Sequence, residues 1–193
     1  MSDYTKPFEK RLHSKFQTEK AAIMYFKEKN IHCVKIGLDY FPKGVKSIWI
    51  KDLPPPISKL PDLLVFHPKK RYLMECKGGI NNVKIKLNDF KGYSWWNKIM
   101  DQYKSSVVYF ITSINTKKIY LINHCDLNFI IKNNNYSLKE YPENNQKYYE
   151  IPFTDFKRSN EEYKEYLKKG CLIIDWTKDI KKYYIKSRKK NEN

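Results

Sequence analysis

Between Phe8 and Lys29 the apolar residues Leu12, Phe16, Ile23 and Phe26 recur near helical spacing and predict a helix. Pro7 suits its first turn and Asn30 its end. His32 to Leu38 is β-prone and reads as a strand. Residues 39–46 read as a loop and Ser47 to Ile50 as a short strand. Pro54, Pro55 and Pro56 then force an extended connection, because consecutive prolines exclude helix. Two apolar runs follow, Asp62 to His67 and Tyr72 to Lys77, separated by Pro68-Lys69-Lys70, which predicts a β-hairpin. Alternation puts Leu63, Val65 and Met74 on one face of it and Leu64, Phe66 and Leu73 on the other. Strands apolar on both faces belong inside a sheet covered on both sides.

Gly78-Gly79 ends the second strand. Beyond it, Leu87 to Tyr103 reads as a helix, Val107 to Thr112 and Lys118 to Ile122 as a second strand pair, and Asp126 to Lys132 as a short helix. Asn133 to Asn145 is polar and reads as a loop, and Tyr148 to Phe153 as an edge strand. Ser159 to Lys169 opens with a capping-box pattern and is closed by Gly170. The order helix, strands, helix, strands, helix predicts an α/β fold: one mixed central β-sheet flanked by helices on both faces. A single domain over residues 1–193 is expected, with a basic tail at about 178–193.

Charge narrows the partners. Lysine and arginine number 38 against 21 acidic residues, a formal net charge of +17 with pI about 9.5, so an anionic partner is expected. Only Arg11, Arg71, Arg158 and Arg188 are arginine, so codon bias in an AT-rich genome is the alternative source of the lysines. It does not account for lysine so far outnumbering the acids. Cys33, Cys76, Cys125 and Cys171 form no C-x-x-C pair and have no histidine at ligand spacing. Zinc and a disulfide framework are therefore not expected, and a reducing, cytoplasmic setting is. No apolar run approaches membrane length.

The candidate chemistry lies at the ends of the hairpin. Asp62 starts its first strand, and Glu75-Cys76-Lys77 ends its second. Residues i and i+2 of a strand share a face, so Glu75 and Lys77 point the same way and Cys76 points into the core. An even turn centred between Pro68 and Lys69 sets His67 opposite Lys70, Val65 opposite Tyr72 and Asp62 opposite Glu75. An odd turn would put the two acids on opposite faces. Carboxylates at the end of apolar strands carry a desolvation cost unless they pair or bind a cation. Two hard oxygen donors suit Mg²⁺ or Mn²⁺. The plain alternative is an ion pair at a strand end.

This pattern, Pro61-Asp62 followed by Glu75-x-Lys77, resembles that of the PD-(D/E)XK nuclease superfamily. There a helix precedes the strands and often supplies a further acid. Here the matching stretch is Phe16-Gln17-Thr18-Glu19, then Ala21-Ala22 and Tyr25-Phe26, which makes Glu19 the candidate beside the reading of it as an ordinary helix glutamate. Within the superfamily the chain most resembles the RecU-type Holliday-junction resolvases, in "SIWIKDLPPPI" (Ser47 to Ile57), "MECKGG" (Met74 to Gly79), "IYLINHCDLNFIIK" (Ile119 to Lys132) and "YYEIPFTDF" (Tyr148 to Phe156). The likeness spans Phe16 to Phe156. Two features depart from it. The family's long stalk is reduced to Ser58, Lys59 and Leu60, and about Ser94 stands where the family has a glutamine.

The resemblance implies a restriction-endonuclease-like core and a Mg²⁺-dependent DNA endonuclease. Asp62, Glu75 and the Cys76 backbone carbonyl are its expected metal ligands, and Asp62, Glu75, Lys77 and Glu19 its catalytic residues. It also implies a homodimer and products with 5′-phosphate and 3′-hydroxyl ends. The expected DNA is branched or duplex. A restriction-like or repair nuclease acting on duplex DNA is the second reading, and a DNA-binding protein on a nuclease fold that no longer cuts is the third. Around this centre, Tyr93, Trp95 and Trp96 read as core or dimer interface, with base stacking as the alternative. Lys84, Lys86 and the 178–190 tail are candidate phosphate contacts, and His67 reads as an incidental turn residue.

Overall fold

The computed structural model describes residues 8–38, 53–54, 57–103, 105–113, 115–116, 118–156 and 172–175, with the side chains of 8–17 and 172–175 left out. The predicted loop at 39–46, strand at 47–50, helix at 159–169 and tail at 178–190 fall outside these residues, as do Pro55 and Pro56.

Helix α1 (Phe8–Glu28) is the predicted first helix. It ends where expected. Asn30 takes a left-handed φ of 54°, its N–H donates to the Lys27 carbonyl at 3.0 Å, and the Ile31 N–H donates to the Phe26 carbonyl at 2.9 Å. That is a Schellman closure with asparagine in glycine's usual place, and its flanking residues Phe26 and Ile31 are both buried in one core. Strand β1 (His32–Lys35) follows. A single 3₁₀ turn (Ile57–Lys59) leads into β2 (Leu63–His67), paired with β3 (Lys70–Gly79) across a two-residue turn. β4 (Asn82–Lys86) leads directly into α2 (Leu87–Gln102). Then come β5 (Ser106–Ser113), β6 (Lys118–Asn123) and α3 (His124–Asn133). Two-residue β7 (Lys139–Glu140), β8 (Lys147–Pro152) and β9 (Leu172–Asp175) complete the described elements.

The main sheet has the order β1-β2-β3-β5-β6-β9. β3 and β5 are parallel and the other neighbours antiparallel, so the sheet is mixed, with β3 near its centre. Each face has its own core. On one, α1 contributes Ala22 and Phe26 against Leu63, Val65, Met74, Cys76 and Phe110. On the other, α2 and α3 contribute Phe90, Tyr93, Leu127, Ile130 and Ile131 against Leu73, Tyr109, Ile111 and Ile122. The expected fold, a mixed sheet with helices on both faces, is the one observed.

Two expectations are corrected. There is a second, three-stranded sheet, ordered β4-β8-β7, where one sheet was predicted. β8 is therefore its central strand and not an edge. The segment Asn82 to Lys86 is too short and too polar to register as a strand by composition. Its two apolar residues nevertheless alternate: Val83 faces Ile151 and Ile85 faces Tyr149. Two turns make this sheet possible. Gly79 comes so close to the Asn82 carbonyl that a Cβ would lie 1.9 Å from its oxygen, which requires glycine. Asn145, at φ 54°, turns β7 into β8 inside the stretch predicted to be loop.

Candidate active site

The β2–β3 register decides which side chains can meet. His67 pairs with Lys70, Val65 with Tyr72 and Leu63 with Met74, the register of the even turn. One step further sets Asp62, at the bend before β2, against Glu75. Both acids are buried, at 4% and 3% exposure. Asp62 is fixed from several sides. Its Oδ2 accepts from the Cys76 N–H at 2.8 Å. Its carbonyl accepts from the N–H groups of Ile36 (3.0 Å) and Gly37 (3.2 Å), just beyond β1. Gly37 passes so near that a Cβ there would lie 3.2 Å from the Asp62 Cα.

Glu75 contacts Lys77 directly through Oε1 and Nζ and is hydrogen-bonded by the Tyr93 hydroxyl. Burial first, and then the Asp62 charge, push the Glu75 carboxyl up to about 7, against the opposing pull of Lys77 and Tyr93. Burial works to lower the Lys77 pKa, but Glu75, Asp89 and Asp62 together outweigh it and hold the ammonium above its ordinary value. Asp89, in the first turn of α2, lies 4.0 Å from Lys77 and 3.5 Å from Lys59. Burial and the Glu75 charge likewise raise the Tyr93 hydroxyl, so it remains a proton donor to the carboxylate.

Glu19 is placed differently. It is 1% exposed, on the α1 face of the sheet, 3.8 Å from Lys35, and its charge is felt at the Cys76 thiol. The approach of α1 to β3 depends on Gly78, where a Cβ would lie 2.9 Å from the Thr18 hydroxyl. That hydroxyl in turn bonds Thr112 of β5 at 3.2 Å. Among the described residues no group of three or more His, Cys, Asp and Glu side chains is arranged to hold a metal. The strand register brings Asp62 and Glu75 together, and Glu19 lies against Lys35 on the α1 side.

Behind Glu75 lies a polar chain that the sequence did not announce. The Tyr109 hydroxyl meets His124 Nδ1 at 2.9 Å, His124 Nε2 meets the Ser94 hydroxyl at 2.8 Å, and Ser94 donates to the Phe90 carbonyl at 3.0 Å. Since Ser94 spends its proton on Phe90, it accepts from Nε2–H, which leaves Nδ1 to accept from Tyr109. The histidine is thus satisfied while neutral, and burial lowers its pKa to about 4. Asp89, Tyr93 and Lys59 were also missed as site residues. Asp89 and Tyr93 are four apart on one helix, hence on one face, and that spacing was the available signal.

The remaining candidates scatter. Trp95 is 41% exposed and meets Trp96 edge to face, while Trp96 packs partly into the core. Cys76 faces the α1 core as expected. His67 Nδ1 accepts from the Lys69 N–H, a local turn contact. Lys84 lies over the rings of Tyr141 and Tyr148, and Lys86 is exposed at the start of α2.

Whether these residues fit a divalent ion can be judged from the donor set. Two buried carboxylates oppose each other across one strand pair, and the Asp62 charge destabilises the ionised form of Glu75. A hard cation between such oxygens relieves that repulsion, so the set fits Mg²⁺ or Mn²⁺.

The sequence matches no protein-family model and no curated protein. Several solved structures align with the fold, two of them a resolvase and a nuclease. One is Hjc, a Holliday junction resolvase from the archaeal hyperthermophile Archaeoglobus fulgidus, at 6% identity and TM-score 0.46, covering 75% of this chain and 88% of that one. The other is a nuclease from a fusselovirus, at 11% identity and TM-score 0.43, covering 79% and 89%.

Proposed function

We propose that the chain is a Mg²⁺-dependent DNA endonuclease. The observation that carries this reading is the buried Asp62–Glu75 pair at the end of the hairpin, with the Lys77 ammonium on the Glu75 side. Asp62, Glu75 and the Cys76 carbonyl would hold one Mg²⁺ or Mn²⁺. When bound, that ion would supply positive charge to a phosphodiester and to its departing oxygen. Lys77 is placed to hold the attacking water or to offset charge that develops on the phosphorus oxygens. Water adds to phosphorus and the bond to the 3′ oxygen breaks, giving 5′-phosphate and 3′-hydroxyl ends. Glu19 would act from the α1 side by its charge, outside the ligand pair.

The net charge of +17 supports nucleic acid as the substrate. Structure-selective cutting of branched DNA, of the Holliday-junction-resolvase kind, by a homodimer is the finer form of the proposal, and duplex cleavage in restriction or repair its alternative. The test incubates the protein with Mg²⁺ and duplex, flap, single-stranded and four-way DNA, with Asp62→Asn as the paired variant. Cleavage by the wild type and its loss in a folded Asp62→Asn variant are expected. Undiminished cleavage by that variant would overturn the assignment, and preference among substrates selects between the finer forms. DNA affinity should also fall steeply with salt, as counterion release requires.

A further inference from the structure

We propose that Lys59 is a second phosphate-binding cation of this site, held beside Lys77 by Asp89. The proposal rests on the nuclease reading above and concerns how the site receives its substrate. Four charges run outward from the core in alternating sign. Glu75 contacts Lys77, Lys77 lies 4.0 Å from Asp89, and Asp89 lies 3.5 Å from Lys59. Glu75 is 3% exposed, Lys77 20%, Asp89 16% and Lys59 36%, so Lys59 is the most exposed of the four. Lys59 is thus the cation that incoming DNA meets first.

The need for it is electrostatic. A phosphodiester that approaches Lys77 must come near Asp62, Glu75 and Asp89, three carboxylates against one partly buried lysine. A further cation at the solvent end offsets that repulsion before the phosphate arrives. Its position is built into the fold. A lysine on an irregular turn ordinarily keeps its rotamer freedom and loses it on binding. The Lys59 stem lies along α2 at Gly92, where a Cβ would come 2.5 Å from the Lys59 Cβ and 3.0 Å from its Cγ. Only glycine at that helical position lets the stem lie there. The ammonium is ordered in advance, which reduces the entropy lost when it takes a phosphate. Lys59 also stands three residues before Asp62, in the short segment that leads into β2. We assign it the phosphate next to the scissile one.

The test measures binding of a labelled DNA duplex in EDTA, where divalent ions are removed, across a range of salt concentrations. Lys59→Gln should weaken binding severalfold and reduce the salt slope by about one. Its melting temperature should scarcely change, because a partly exposed ion pair at 3.5 Å contributes little. Lys59→Arg should restore affinity and slope. Lys132→Gln, which removes an exposed lysine from α3, should leave the slope unchanged. In an Asp89→Asn background, Lys59→Gln should have a smaller effect, since the lysine is no longer held. An unchanged slope for Lys59→Gln, or an equal change for Lys132→Gln, overturns the phosphate contact. A full Lys59→Gln effect in the Asp89→Asn background overturns the role of Asp89. Cleavage by the wild type in Mg²⁺ is scored separately, so failure of the nuclease reading and failure of the Lys59 contact give different results.

Discussion

One strand, β3, presents two unlike surfaces. Toward α1 it shows Met74 and Cys76, sealed among Ala22, Phe26, Leu63 and Phe110. Toward α2 it shows Glu75 and Lys77, bonded to Tyr93 and paired with Asp89. The residues alternate one by one, so core and candidate centre are separated by a single peptide unit. The period of two lets a buried strand anchor the fold through one face while it carries ionised groups on the other. The α1 face holds the strand by packing, and that rigidity positions the acids opposite it.

The largest effects should come from the α2 face. Lys77→Ala should slow single-turnover cleavage by roughly 10²- to 10³-fold, the cost typical of a lost charge-stabilising donor. DNA affinity should change little, because the Lys77 ammonium is already paired with Glu75 and its proposed role lies in the chemical step. If Lys77 only neutralised the acids, its loss would instead lower the melting temperature without Mg²⁺, and saturating Mg²⁺ would restore both stability and rate. Near-normal single-turnover cleavage would remove Lys77 from the chemistry.

The α1 face should respond in the opposite way. Met74→Ala opens a cavity beside a fully packed face and should lower stability by about 2–5 kcal/mol. The rate of the molecules that remain folded should be unchanged. Urea unfolding combined with single-turnover kinetics reads both quantities. A rate loss as large as that of Lys77→Ala would show that the two faces are not separable.

Most of this division was legible in the sequence. The hairpin and the inward turn of Cys76 followed from alternation, and the observed register is the even one of the two turns that the sequence left open. The three described helices followed from their period. The second sheet was hidden because Asn82 to Lys86 is short, and because a pairing with a segment more than sixty residues later leaves no local mark. Lys59 and Asp89 were hidden for a similar reason: they join a loop to a helix, and only Gly92 hints at the close approach. Glu19 was read correctly as a residue of the first helix, and its ion pair with Lys35 follows from how that helix docks, which spacing does not encode.

His124 extends the comparison behind the α2 face. In the unfolded chain it titrates near 6.5, and burial lowers it to about 4 in the fold. Between those values the unfolded chain binds the extra proton, so unfolding gains as the pH falls. The stabilisation from a neutral His124 is complete above about pH 6.5 and is lost progressively toward pH 4, by on the order of 3 kcal/mol. His124→Gln should flatten that part of the stability profile measured by urea unfolding. An equal slope in the variant would assign the acid sensitivity to other groups.

The smallest effect should be that of Tyr93→Phe. The hydroxyl it removes is buried and bonded to Glu75, and the ring itself packs against Tyr109 at 5.9 Å. Phenylalanine keeps the ring contact and leaves Glu75 with Lys77 and the pull of any bound cation. A hydrogen bond to a charged group contributes about 1.5–3 kcal/mol, and part of that loss is recovered when Lys77 takes the freed lone pair. The rate at saturating Mg²⁺ should therefore fall by less than roughly tenfold. A larger change should appear in the Mg²⁺ concentration needed for half the maximal rate, because an unsupported Glu75 holds its proton more tightly and yields it less readily to the metal. Phenylalanine at 93 with an unchanged Mg²⁺ requirement would mean that the tyrosine hydroxyl does not orient the carboxylate, and that α2 serves this side of the strand through Asp89 alone.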